Sequence, residues 1–151
     1  FSAGPQDVHM EGGTAGGGYA GLSARITPKS RDWQLVDSEG REDVPTESFA
    51  KNTHGQHARW MDFTLVDMAS GETGGIAIFD HPANLRFPSQ WHNLIDDKAP
   101  FGYFSPAPLW SEPYTLPAGK TMTLRYRILI HPGRTDRAQM EEQWQAWSGK
   151  K

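Results

Sequence analysis

Residues able to move protons or grip polar ligands crowd into three stretches of this chain. They are His54-Gly55-Gln56-His57-Ala58-Arg59-Trp60-Met61-Asp62, Phe79-Asp80-His81-Pro82-Ala83-Asn84-Leu85-Arg86-Phe87-Pro88, and Trp91-His92. An imidazole beside a carboxylate makes a general acid/base pair, which marks His57, Asp80 and His81 as catalytic candidates. Arg and Asn offer donors to hydroxyls, and an indole offers a flat apolar face to the C–H side of a sugar ring. On that chemistry Arg59, Asn84, Arg86, Trp91 and His92 are substrate-binding candidates. Several His could instead ligate a metal. His54 and His57, however, are three apart, which suits neither one face of a strand nor the HExxH helix pattern, so no metal ligand and no cofactor is assigned.

Each assignment has a structural competitor. Asp80-His81-Pro82 also reads as a turn whose Asp accepts backbone N–H bonds. Arg59 can pair with Asp62 or Asp80, and Trp60 and Trp91 can pack in the core or at its rim. His9 and His131 read as incidental. No Gly-x-Ser-x-Gly elbow is present. The glycines at 12–13 and 16–18 precede a strand pattern and not a helix, which argues against a phosphate loop.

The elements that must position these residues are mostly strands. Tyr19–Ile26 alternates, with Ala20, Leu22, Ala24 and Ile26 on one face. Asp32–Val36 is a short strand closed by a turn at Ser38-Glu39-Gly40, and residues 41–56 are polar and loop-like. In Arg59–Val66, Met61, Phe63 and Leu65 share one face while Trp60, Asp62 and Thr64 share the other. A turn at Ser70-Gly71-Glu72 returns the chain as Gly74–Phe79. That hairpin brings His57 and Arg59 near Asp80 and His81. Residues 80–90 are irregular. Lys120–Ile130 is the strongest strand pattern, with Met122, Leu124, Tyr126, Ile128 and Ile130 on its buried face, and it is expected at the centre of a sheet. One helix is predicted from Asp136, its cap, to Trp147, with Met140, Trp144 and Trp147 as the docking stripe.

Short strands between Gly/Pro turns, ending in one helix, predict an all-β antiparallel sandwich and not a βαβ fold. The expected organisation is a flexible Gly-rich leading segment over 1–18 and a sandwich domain over 19–151. The 151 residues suffice for one core, and 17 aromatic residues argue against disorder. A formal charge of −3 with mixed signs carries no nucleic-acid footprint. No apolar run is long enough to span a bilayer as a helix. The absence of cysteine removes disulfides and thiol chemistry and leaves the compartment open, with a secreted or periplasmic location slightly favoured.

The order Gly-Gly-Tyr-Ala-Gly-Leu-Ser-Ala-Arg, His-Ala-Arg-Trp-Met-Asp-Phe, Gly-Ile-Ala-Ile-Phe-Asp-His-Pro-Ala-Asn-Leu-Arg-Phe-Pro, Trp-His and Leu-Arg-Tyr-Arg-Ile-Leu-Ile-His resembles the bacterial DUF6807 family, also labelled methane oxygenase PmoA. The Asp-His-Pro-x-Asn-x-Arg-x-Pro stretch is the most specific part. The chain departs from the family pattern at Asn93–Pro100, which is acidic where an aromatic-rich segment is expected. The resemblance is to the C-terminal half of family members, which implies half of a larger, supersandwich-like domain. It also implies an N-terminal half or a second copy as partner, and a carbohydrate ligand. Three functions follow as expectations: a sugar-active enzyme using a His/Asp pair, a non-catalytic carbohydrate-binding or structural sandwich, and, behind both, the metal-dependent oxidoreductase of the label. The second is favoured over the first where the His and Asp side chains are satisfied internally.

Overall fold

The computed structural model describes residues 1–13, 21–27, 32–45, 51–96 and 101–149. In chain order the strands are β1 (Val8–Met10), β2 (Ala24–Ile26), β3 (Trp33–Asp37), β4 (Glu42–Asp43), β5 (Trp60–Val66), β6 (Thr73–Asp80), β7 (Trp91–Asp96), β8 (Phe101–Pro106), β9 (Tyr114–Leu116) and β10 (Tyr126–Pro132). A single helix among the described residues, α1 (Arg137–Ser148), closes the chain. All strand pairs are antiparallel. They form a five-stranded sheet ordered β10-β6-β5-β3-β4, a three-stranded sheet ordered β2-β8-β7, and the pair β1-β9.

The period-two pattern explains the layers. Leu35, Met61, Phe63 and Ile78 project from the large sheet onto Trp91, Ile95 and Phe104 of the small one, and this is the main core. On the opposite face of the large sheet, Val36, Trp60, Ala77 and Phe79 meet Met140, Trp144 and Trp147 of α1. The helix starts where the sequence places it: Asp136 caps it by accepting the Gln139 N–H. The all-β sandwich with a C-terminal helix is therefore the observed architecture.

Four expectations are corrected. β10 begins at Tyr126, not Lys120, and lies at the edge of the large sheet and not at its centre. Its alternation was read correctly but assigned to the wrong environment, because Ile128 and Ile130 are 50% and 80% exposed. Part of the leading segment is itself paired: β1 lies along β9, with Val8 opposite Leu116. Within 41–56, Glu42–Asp43 forms β4 against β3. The glycines at 16–18 and the start of the Tyr19–Ile26 pattern lie outside the described residues. β7 and β8 were not anticipated as strands, because both are buried on two faces and so lack alternation.

Candidate functional site

The β5–β6 hairpin does bring the first two motif stretches together. Trp60 pairs with Phe79, and the Asp80 N–H donates to the Arg59 carbonyl at 2.8 Å. His57 forms an isolated bridge with Gln90, which adds the segment before Trp91. Proximity on the main chain is thus as expected. The side chains, however, do not converge on a shared cleft.

Asp80 is wholly buried. Its Oδ1 accepts from Asn84 Nδ2 at 2.7 Å and its Oδ2 from the Ser89 N–H at 2.9 Å. Burial pushes its carboxyl pKa up, against the opposing pull of the Ser89 and Asn84 hydrogen bonds. The phenol of Tyr126 is pushed up as well, by its own burial first and by the charge of Asp80 second. Asn84 also donates to the Arg125 carbonyl and accepts from the Arg125 N–H, both at 2.7 Å. Arg86 holds φ at 58°, a left-handed conformation rarely adopted by such a side chain. Its guanidinium donates to the carbonyls of Pro108, Glu112 and Pro113 at 2.7–2.9 Å, and to the Glu112 carboxylate at 3.2 Å. The loop from 82 to 87 is a series of turns, so Asn84 and Arg86 do not share a face: one ties the loop to Arg125, just before β10, and the other ties it to residues 108–113.

The imidazoles are engaged separately. His81 Nδ1 accepts the Ala83 N–H at 3.0 Å, and its ring stands edge-on to Trp147 with centroids 5.1 Å apart. His81 itself closes the turn, while Asp80 accepts the more distant Ser89 N–H. His57 Nδ1 lies 2.7 Å from the Pro88 carbonyl. Neither Asp62 nor the Asp80 carboxylate serves His81. Asp62 instead holds His131, whose Nε2 lies 3.0 Å from Oδ1. Arg59 pairs with neither Asp62 nor Asp80. It reaches Glu141 at 3.2 Å and Glu39 at 3.6 Å and lies 5.4 Å over the Trp144 ring.

Trp91 is a core residue: it is fully buried and its Nε1 donates to the Ala58 carbonyl at 2.9 Å. His92 is buried too, on the outer face of the small sheet, where its ring meets His54, Tyr103 and Trp110 with centroids 5.2–5.5 Å apart. Burial first, and the neighbouring His54 second, push its pKa down, which keeps the ring neutral. Substrate-binding positions inside the core and behind the small sheet cannot join a site at the hairpin. Among the described residues no group of three or more His, Asp or Glu side chains is placed to hold a metal ion.

His131, incidental by its sequence context, forms the most buried imidazole–carboxylate pair among the described residues. Asp62 is fully buried, and Thr135 Oγ1 donates to its Oδ2 at 2.8 Å. The pairing register explains it. His131 lies opposite Gly75, and Thr64 lies opposite Gly75 on the other side. A Cβ at Gly75 would fall 2.5 Å from His131 Nε2, so only glycine lets the imidazole cross β6 to reach β5. A lone carboxylate in the apolar run of β5, two residues before the position that pairs with Gly75, was the signal available.

What remains on the surface is a half-exposed face formed by the hairpin, the 81–88 loop and α1. Phe87 stacks on Trp144 with centroids 6.1 Å apart, Trp147 borders His81, and Arg59 covers Trp144. Glu141 sits among them, accepting from Trp60 Nε1 at 3.0 Å. No helix among the described residues is long and apolar enough to cross a membrane. A family model described as a family of unknown function, DUF6807, matches residues 2–145. No curated protein and no solved structure matches the chain.

Proposed function

The chain belongs to the DUF6807 family, and from that premise we propose that it is a non-catalytic, carbohydrate-binding β-sandwich in which the Asp80–Pro88 stretch is a structural clamp. The observation that carries this is where the functional atoms end. Asp80 and Asn84 terminate on main-chain groups or on each other, Arg86 on main-chain carbonyls and the Glu112 carboxylate, and His81 Nδ1 closes its own turn. A general acid or base must be able to reach a substrate proton, and the Asp80 carboxylate, buried and engaged at both oxygens, pairs with no imidazole. The half-exposed face supports the binding half of the reading. Rings of Phe87 and Trp144 lie beside the guanidinium of Arg59, with Trp147 next along the helix. That mixture of flat apolar faces and fixed donors suits a sugar, which has an apolar C–H side and hydroxyl edges.

The test is a thermal melt beside a titration against a panel of mono- and oligosaccharides, followed by tryptophan indole resonances. Arg59→Ala is expected to weaken sugar binding with the fold retained. His81→Ala is expected to lower the melting temperature while the sugar still binds. Turnover of any panel sugar that disappears in His81→Ala or His57→Ala would make the chain an acid/base enzyme and overturn the proposal. Binding to no sugar in the panel would remove the carbohydrate from it.

A further inference from the structure

Two arginines bear on the charge of the sugar. Most arginines of the chain have a partner: Arg41, Arg59, Arg86 and Arg134 lie on carboxylates, Arg137 on the Ser38 carbonyl and Arg25 over the Phe101 ring. Arg125 and Arg127, around the start of β10, differ. Neither guanidinium meets a hydrogen-bond acceptor, a carboxylate or an aromatic face among the described residues. Arg125 is exposed, as a lone cation usually is. Arg127 is half-buried. Withdrawing a cation from water without a counter-charge is unfavourable, and this chain, at a formal charge of −3, has more acids than bases to offer.

The register places Arg127 at the end of the proposed sugar face. Trp60, Phe79 and Arg127 lie opposite one another on β5, β6 and β10, so their side chains leave the same side of the large sheet, the side that carries α1. Trp147 packs on Phe79 with ring centroids 6.4 Å apart. Arg127 lies one strand spacing, about 4.8 Å, beyond Phe79. Arg59, next to Trp60, covers Trp144 at the other end. The row from Trp60 to Arg127 therefore spans about 10 Å, which suits a short oligosaccharide better than a single ring. Its ends differ in charge. Arg59 lies between Glu39 and Glu141, one guanidinium to two carboxylates. Helical spacing puts Gln139, Gln143 and Ala146 on the opposite flank of α1 from Glu141, the flank towards β10, and turns the exposed Glu142 away from the sheet. The helix thus sets no acid beside Arg127.

We propose that the ligand is an anionic sugar whose carboxylate or sulfate is held by Arg127. This rests on the carbohydrate reading above and adds the ligand's charge and direction. A guanidinium grips an oxyanion through parallel N–H···O bonds, and a half-buried one is screened less than an exposed one. The carboxylates around Arg59 repel the same group, so the anion binds at the β10 end only.

Titrations with matched pairs test this, followed by the tryptophan indole resonances: glucuronate against glucose, and trigalacturonate against galactotriose. The acidic member is expected to bind at least tenfold tighter, with the difference shrinking as salt rises. Arg127→Gln should abolish the difference and leave the neutral sugar's affinity and the melting temperature unchanged. Arg25→Gln removes the same charge far from the face and should keep the preference. Glucose 6-sulfate beside glucuronate shows which oxyanion is taken, and a gain over glucose that Arg127→Gln removes supports the proposal for either. Neutral and acidic sugars binding equally would overturn the proposal and leave the carbohydrate reading standing. A preference that survives Arg127→Gln, or that Arg25→Gln removes just as well, would overturn it too. Binding of no sugar of either kind would end both readings together.

Discussion

The side-chain amide of Asn84 completes what the main chain leaves open just before β10. Its Oδ1 takes the Arg125 N–H and its Nδ2 serves both the Arg125 carbonyl and the Asp80 carboxylate. In effect the amide pairs with Arg125 as a neighbouring strand residue would, and it holds down a buried acid whose pKa burial drives up. Removing it leaves a main-chain donor and acceptor unpaired and takes a hydrogen bond from Asp80. Orphaned buried groups cost about 1–3 kcal/mol each, and partial access of water at Arg125 keeps the total toward the low end. Asn84→Ala is therefore expected to destabilise the protein by about 2 kcal/mol in denaturant unfolding. An effect within error of zero would mean that the amide is a ligand-binding group with no structural duty. From the sequence, the residue types of this motif were legible and their roles were not. Asn84 and Arg86 alternate, and in an extended segment both would face one side, whereas the left-handed backbone at Arg86 turns them apart.

At the scale of elements, the clearest coupling is between α1 and the large sheet. The helix was readable because its capping residue and its apolar spacing agree, and Met140 is indeed fully buried against Trp60 and Phe79. What the spacing did not reveal is the polar latch beside it. Burial works to raise the Glu141 pKa, but hydrogen bonds from Trp60, Gln145 and Arg59 and the charge of Arg59 outweigh it and hold the carboxylate below its ordinary value. The sign of the consequence follows. The folded state binds this proton less readily than the unfolded chain, so the contribution to stability is present above the ordinary value of 4.5 and is lost as pH falls through the lower, folded value. Melting curves of the wild-type chain and Glu141→Gln are expected to differ at neutral pH and to converge in acid, with the wild type losing more. Parallel curves at every pH would show that the latch is electrostatically idle. β10 makes the complementary point about legibility. Its alternation was plain, but alternation says only that two faces differ, and here the isoleucine face looks into an open groove and not into a closed core.

At the scale of the whole molecule, residues 1–10 are tied to residues 114–122, and these contacts were the least visible in the sequence. Glycine-rich composition suggested a loose leading segment, because local propensity carries no information about a partner a hundred residues away. Yet β1 pairs with β9, the Ala3 N–H donates to the Lys120 carbonyl at 2.9 Å, and Asp7 accepts the Ala118 N–H at 2.7 Å. Ala3 joins Leu116 and Met122 in a small core, against which Met10, Leu85, Tyr114 and Leu124 pack. Leu85 lies between Asn84 and Arg86, so this satellite core supports the clamp from behind. The main core between the two sheets shares no residue with it. Deleting residues 1–10 is therefore expected to act regionally. The melting temperature should fall. Amide exchange should quicken in 114–125 and in the 82–88 loop, while β5, β6 and β8, held by the main core, keep their protection. Fluorescence of the buried Trp91 should stay native in the truncated chain, because its environment is the main core. If exchange in the 82–88 loop is unchanged by the deletion, the satellite core does not support the clamp, and the leading segment is a passive cover. If instead protection is lost everywhere at once, the two cores unfold as one unit and the division drawn between them is wrong.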